Sequence, residues 1–183
     1  MSLRVIAGAW GGRRLAAPAG DDTRPTADGV REAVFSMLGP LDADTRVLDP
    51  FAGSGALGIE ALSRGAAHAT FADEDPRAIA VVRANLATLG AGAEVATVRR
   101  TDARRLLQDA RARQDAYDLV FLDPPYRRAE RLGEELQDDL AAVLAAGGRI
   151  VAESGRRAPM TLDQLKLDKE RRYGTTLIRI YSA

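Results

Sequence analysis

The chain has 183 residues, 46% hydrophobic and 28% charged, a one-domain length with an ordinary globular composition that argues against intrinsic disorder. It holds no cysteine and a single histidine, His68. This excludes disulfides, thiolate catalysis and Cys-based zinc sites, and it leaves a His metal cluster or a Ser-His relay without members, so no metal site is expected. Acids and bases balance at 26 each, and since only Lys166 and Lys169 are lysine, the remaining 24 of the 26 cations are arginine.

That arginine excess has two readings, a coding bias and phosphate recognition. Position favours the second in one place: the first twenty residues carry Arg4, Arg13 and Arg14 and no acid, a modest hint of nucleic acid. The N-terminus lacks a basic-then-apolar signal pattern and no stretch approaches the ~18 apolar residues of a membrane span, so a cytoplasmic soluble protein is expected.

In chain order, Leu3–Ala7 and Arg13–Ala16 flank a Gly8-Ala9-Trp10-Gly11-Gly12 turn, the signature of a β-hairpin. After a loop with Pro18, Gly20 and Pro25, Thr26 is placed to cap a helix whose apolar stripe is Val30, Val34, Leu38 and the adjoining Phe35 and Met37, ended by Gly39-Pro40. Residues 1–40 therefore read as a small hairpin-and-helix module, distinct from a catalytic domain over 41–183. From there apolar strands at about 45–50, 68–73, 94–98, 117–122 and 147–153 alternate with helical stretches. The clearest helix follows Arg128, with Leu132, Leu136, Leu140, Val143 and Leu144 on one face and Gly147-Gly148 as its stop. Such alternation predicts a parallel α/β sheet. Residues 164–173 and 175–182, pivoting at Gly174, are expected to close it as two antiparallel strands.

The first chemical motif is Val47-Leu48-Asp49-Pro50-Phe51-Ala52-Gly53-Ser54-Gly55-Ala56-Leu57-Gly58, a strand running into a glycine turn that opens a helix. Glycines there let a ligand approach the backbone closely. Gly53, Gly55 and Gly58 spell a dinucleotide fingerprint, and Asp73 stands where a ribose-binding acid belongs, so the motif alone fits NAD about as well as S-adenosylmethionine. Asp49 disturbs the NAD reading, because a carboxylate repels a pyrophosphate and favours a cationic sulfonium with an amino-acid tail. Candidate cofactor contacts are Asp49, Phe51, Ala52, Gly53, Ser54 and Gly55, then Asp73 and Glu74, then Asp102 and Ala103. For Asp102 an adenine contact and a helix N-cap are equally open.

The decisive element is Asp123-Pro124-Pro125-Tyr126 at the end of the apolar strand Tyr117–Leu122. An exocyclic base amine is a poor nucleophile because its lone pair is delocalised into the ring. The Asp123 carboxylate and the Pro124 carbonyl can each accept one amine hydrogen, which frees that lone pair. Proline keeps the turn rigid, and Tyr126 offers a face on which a flipped-out base stacks.

Together these motifs resemble class I S-adenosylmethionine-dependent methyltransferases acting on an exocyclic amine. The strings Arg4-Val-Ile-Ala-Gly, Gly12-Arg-Arg-Leu, Thr23-Arg-Pro-Thr-Ala-Asp, Val30-Arg-Glu-Ala-Val-Phe-Ser-Met-Leu and Arg172-Tyr-Gly-Thr-Thr-Leu-Ile-Arg-Ile-Tyr narrow the likeness to the RsmD-type 16S rRNA guanine-N2 methyltransferases. One departure is Gly29, where that family usually has a bulky basic residue. The resemblance implies a Rossmann-like, seven-stranded, mostly parallel sheet with an antiparallel last strand, and S-adenosylmethionine as donor. It also implies, as acceptor, a guanine of the position-966 type in the 16S rRNA of an assembled or assembling 30S subunit. Arg13, Arg14, Arg24, Arg31, Arg127 and Arg128 are then the candidate RNA contacts, with Arg31 equally open to a contact with the cofactor or Asp123, and a monomer is expected. Competing readings are a DNA adenine methyltransferase, which the short N-terminal segment disfavours, another RNA amine methyltransferase, a protein glutamine methyltransferase, and an RNA-binding module without activity.

Overall fold

The computed structural model describes residues 3–18, 28–125 and 128–183. Its elements are α1 (Asp28–Leu38), β1 (Arg46–Asp49), α2 (Ala56–Ser63), β2 (His68–Asp73), α3 (Pro76–Leu89), β3 (Ala96–Arg100) and α4 (Ala103–Ala112). They continue with β4 (Tyr117–Leu122), α5 (Ala129–Val143), β5 (Leu144–Gly155), β6 (Lys166–Tyr173) and β7 (Thr176–Ser182). The strands form one sheet in the order β3-β2-β1-β4-β5-β7-β6. Pairing is parallel from β3 through β5, whereas β7 runs antiparallel between β5 and β6. This is the class I methyltransferase sheet, with its last strand reversed.

Alternation along each strand feeds two apolar layers. Val47, Phe71, Leu119, Phe121, Val151 and Ile178 point to one face, where α1, α2 and α3 supply Val34, Phe35, Leu57, Ile59, Val82 and Leu86. Leu48, Val120, Leu122, Ile150 and Ala152 point to the other, covered by Leu106 and Leu107 of α4 and Leu132, Leu136 and Leu140 of α5. The start of the chain joins the first layer: Leu3, Val5, Leu15, Phe35 and Leu38 share its core. Among the described residues, no break in the core separates the segment before residue 40 from the sheet.

The N-terminal arm, residues 3–18, does pair with itself, through an Arg4–Arg14 bridge flanked by Val5 N–H to the Arg13 carbonyl and Leu15 N–H to the Leu3 carbonyl, both 2.9 Å. It is too short to form regular strands, and buried polar groups dock it instead. The Glu60 carboxylate on α2 accepts from Ile6 N at 2.7 Å and Ala7 N at 3.0 Å, and from Arg64 Nε at 2.7 Å. Ser63 takes the Trp10 N–H on its hydroxyl and the Ala9 N–H on its carbonyl. At the far end of α1, Arg149 and Lys169 donate to the last-turn carbonyls of Leu38 and Met37, satisfying groups that a helix end leaves open.

Two boundaries depart from the sequence reading. β3 begins at Ala96, two residues later than expected, after a turn in which Val95 and Ala96 donate to the Gly92 carbonyl. α5 ends at Val143, so Leu144 leaves the helix face and opens β5 opposite Tyr117. After an irregularity, with Gly147 at φ 75°, the pairing resumes at Arg149 opposite Leu119.

Gly58 shows why α2 must lie so close to the sheet. A Cβ built there would stand 2.3 Å from Cε1 of Phe71, a fully buried ring. Gly58→Ala should therefore overpack the α2–β2 contact and cost about 1–3 kcal/mol, read as a lower Tm in thermal unfolding.

Candidate active site at the strand edge

Parallel strands end on one edge, and every described residue expected to contact the donor or the amine lies there. The β1–α2 turn carries Asp49, Phe51, Ala52, Gly53, Ser54 and Gly55. β2 ends at Asp73-Glu74, β3 is followed by Asp102-Ala103, and β4 by Asp123-Pro124-Pro125. Because β3, β2, β1 and β4 are consecutive neighbours in the sheet, the cofactor candidates abut the Asp-Pro-Pro turn. Tyr126, Arg127 and Arg24 lie outside the described residues.

The glycine turn is braced by its neighbours. Ala52 N–H reaches the Ala72 carbonyl at 2.9 Å, Gly53 N–H reaches Asp73 Oδ2 at 2.9 Å, and Gly55 N–H returns to the Ala52 carbonyl at 2.6 Å. Gly53 and Gly55 sit at φ 54° and 79°, where a side chain is strained. A Cβ on Gly53 would meet nothing within 4 Å, so the backbone there faces open space. Asp73 spends Oδ2 on Gly53 and Oδ1 on the Asp75 N–H at 2.9 Å, which fixes its rotamer while leaving each oxygen a further lone pair.

Asp49 is the electrostatic centre. It is 1% exposed; Oδ2 accepts from Gly58 N at 3.3 Å, and Oδ1 has no hydrogen-bond partner among the described residues. Burial pushes its pKa up to about 7; the Gly58 N–H opposes this, the Asp73 charge adds to it, and the Phe51 N–H opposes it. A buried acceptor with a spare oxygen under an open glycine turn fits a cationic ligand.

Other candidates divide. Asp102 caps α4 by accepting from Arg105 N at 3.0 Å. Glu74 meets Arg128 Nη1 at 3.4 Å, both exposed. Arg13 and Arg14 are exposed on the arm, Arg13 donating to the Thr88 carbonyl at 2.8 Å. Arg31 corrects the sequence reading. It is fully buried, bonded to the Arg4 carbonyl and to Asp28 Oδ1 at 2.9 Å. Burial pulls its pKa down while Asp28 and Glu60 hold it up. Its guanidinium joins the arm to α1 and offers nothing to an RNA phosphate. Pro124 is buried, Asp123 half-buried, and the Pro125 carbonyl is taken by the Arg128 N–H at 2.9 Å. His68 opens β2, the end remote from the site, and bonds to the Thr97 hydroxyl at 3.1 Å. Sequence reasoning missed Glu60, Ser63 and Asn85, the buried polar residues that seat the arm.

A family profile described as "Conserved hypothetical protein 95" matches residues 3–182. The chain belongs to this family, that of the RsmD-type methyltransferases. It is 44% identical to "Putative rRNA methyltransferase YlbH" of Bacillus subtilis over 98% of both chains. It is 36% identical to Ribosomal RNA small subunit methyltransferase D of Haemophilus influenzae, over 98% of this chain and 93% of that protein. A solved structure of a hypothetical protein from Thermus thermophilus superposes with a TM-score of 0.84 at 31% identity, covering 99% of each chain. The methyl donor of the RsmD-type proteins is S-adenosylmethionine, and Asp49, the glycine turn and Asp73 are the residues that fit it. Among the described residues no helix is long and apolar enough to cross a membrane.

Asp49 sets stability against binding. Its folded-state pKa lies above the ordinary carboxylate value, so the stability of its neutral form is lost as pH rises from about 4 through about 7. Asp49→Asn should raise Tm at pH 8 by several degrees, the gain shrinking toward pH 4–5. The same variant should bind S-adenosylmethionine at least ~10-fold more weakly, since it loses a charged partner. Thermal unfolding across pH, with calorimetric titration, checks both.

Proposed function

We propose that the protein methylates the exocyclic N2 of a guanine in 16S rRNA, of the position-966 type, within the assembled or assembling small subunit, and acts as a monomer. The observation that carries this reading is the Asp123-Pro124-Pro125 turn closing β4 immediately beside the glycine turn of β1. When bound, S-adenosylmethionine supplies an electrophilic methyl group. The chain's own task is to hold a planar amine in line with it, which positioning and hydrogen bonding accomplish. Asp123 accepts one amine hydrogen and the Pro124 carbonyl the other, with Tyr126 stacking the base. Asp73 and Glu74 serve the ribose side, Asp102 and Ala103 the adenine side, and Asp49 the amino-acid end.

No separate general base is assigned: His68, at the remote end of β2, is poorly placed for the role. The rRNA assignment draws on the names of the relatives, with exposed Arg13, Arg14 and Arg128 as phosphate contacts, joined by Arg24 and Arg127. Monomeric action is supported by the surface, where Leu167, at 44%, is the exposed large hydrophobic among the described residues.

Incubating unmodified 30S particles with enzyme and labelled donor, then resolving the nucleosides by mass spectrometry, should yield labelled N2-methylguanosine. Label in adenosine, or in protein only, would overturn the reading. Asp123→Ala should lower kcat by at least ~10²-fold with donor affinity little changed. Tyr126→Phe should retain most of the activity and Tyr126→Ala should lose it, through ~1–3 kcal/mol of stacking.

A further inference from the structure

Asn85 stands on α3, outside every motif read from the sequence, and is 3% exposed. Its partners fix the orientation of its amide. Oδ1 accepts from Ala16 N at 2.8 Å, while Nδ2 donates to the Ala16 carbonyl at 3.0 Å and to the Ser54 carbonyl at 2.9 Å. The two bonds to Ala16 reproduce what a neighbouring strand would give that residue. The third reaches the glycine turn. One buried side chain thus touches both the arm, just before it runs on toward Arg24, and the loop that faces the donor. Arg13 adds a second tie on the same helix, through the Thr88 carbonyl at 2.8 Å. Glu60 and Ser63 also hold the arm, but from α2 and at Ile6 to Trp10.

We propose that Asn85 is a positioning residue that joins the donor turn to the N-terminal arm, so that donor occupancy and RNA binding reinforce each other. The inference rests on reading the arm as an RNA contact. A donor seated on the glycine turn holds the Ser54 carbonyl where the Asn85 amide needs it, and the amide then holds Ala16. RNA seated on the arm acts through the same bonds in reverse, as linkage requires.

The test uses the full-length protein, unmodified 30S particles and S-adenosylhomocysteine as the probe for the donor site. The particle Kd is measured with and without saturating S-adenosylhomocysteine for wild type, Asn85→Asp and Asn85→Ala, with circular dichroism to confirm folding. The wild type should bind particles about 5-fold or more tightly when the donor site is filled, within the usual range of site-to-site coupling. In both variants that ratio should fall toward one. Asn85→Asp is the sharper probe: nearly isosteric, it keeps an acceptor for the Ala16 N–H but turns a carboxylate oxygen toward two carbonyls. A residue that merely filled space would tolerate Asp, and its Ala variant would lower Tm while leaving the ratio intact. An unchanged ratio in either folded variant overturns the proposal. So does a wild type that methylates particles yet binds them equally with and without S-adenosylhomocysteine, a result that leaves the proposed function standing. A wild type that neither binds nor methylates particles overturns both.

Discussion

The turn between β1 and α2 is tied to β2 through Ala72 and Asp73 and to α3 through Asn85, and it lies above a carboxylate that the fold keeps almost wholly from water. Each tie depends on the parallel order of the sheet, which brings the ends of β2, β1 and β4 side by side. Were α2 to shift from β2, the Gly58 N–H would leave Asp49, and the turn would lose its shape. The close α2–β2 approach over Phe71 is therefore the constraint on which the glycine turn and its Asp49 contact through Gly58 depend.

Local pattern made much of this legible. Glycines that need positive φ, an apolar strand ending in Asp-Pro-Pro, and a helix with Leu132, Leu136 and Leu140 in register each write their role within a dozen residues. What stayed hidden acts at long range. Glu60 is a carboxylate inside an apolar helical stretch, and the backbone N–H groups it binds lie more than fifty positions earlier in the chain; Asn85 and Ala16 are 69 apart. Such bonds leave no periodicity. Arg31 misled in another way: offered as a contact for RNA, it lies fully buried, bonded to the Arg4 carbonyl and to Asp28. β3 was displaced because an edge strand with exposed Thr97 carries a weak apolar signal.

Glu60 and Asp49, two of the buried acids, are treated differently. Glu60 is satisfied, with two backbone N–H groups and Arg64 around its oxygens; it holds pieces of the chain together. Asp49 has a long bond from the Gly58 N–H, the Phe51 N–H nearby, and an oxygen without a partner among the described residues. A protein selected for stability alone would have replaced it with a neutral group of similar shape. Incomplete satisfaction thus sets Asp49 apart from Glu60, although both are almost wholly buried.

The place of β7 bears on how the protein is made. Made after both of its neighbours, it is inserted between β5 and β6 and pairs with both. Until Thr176–Ser182 has emerged, β5 is an unprotected edge and β6 has no neighbour. Vectorial synthesis can assemble the arm, the glycine turn and the strands up to β5 in sequence, but the sheet closes only once Thr176–Ser182 is available. Loss of β7 would thus expose two strand edges at once and invite aggregation, although no candidate site residue lies within it.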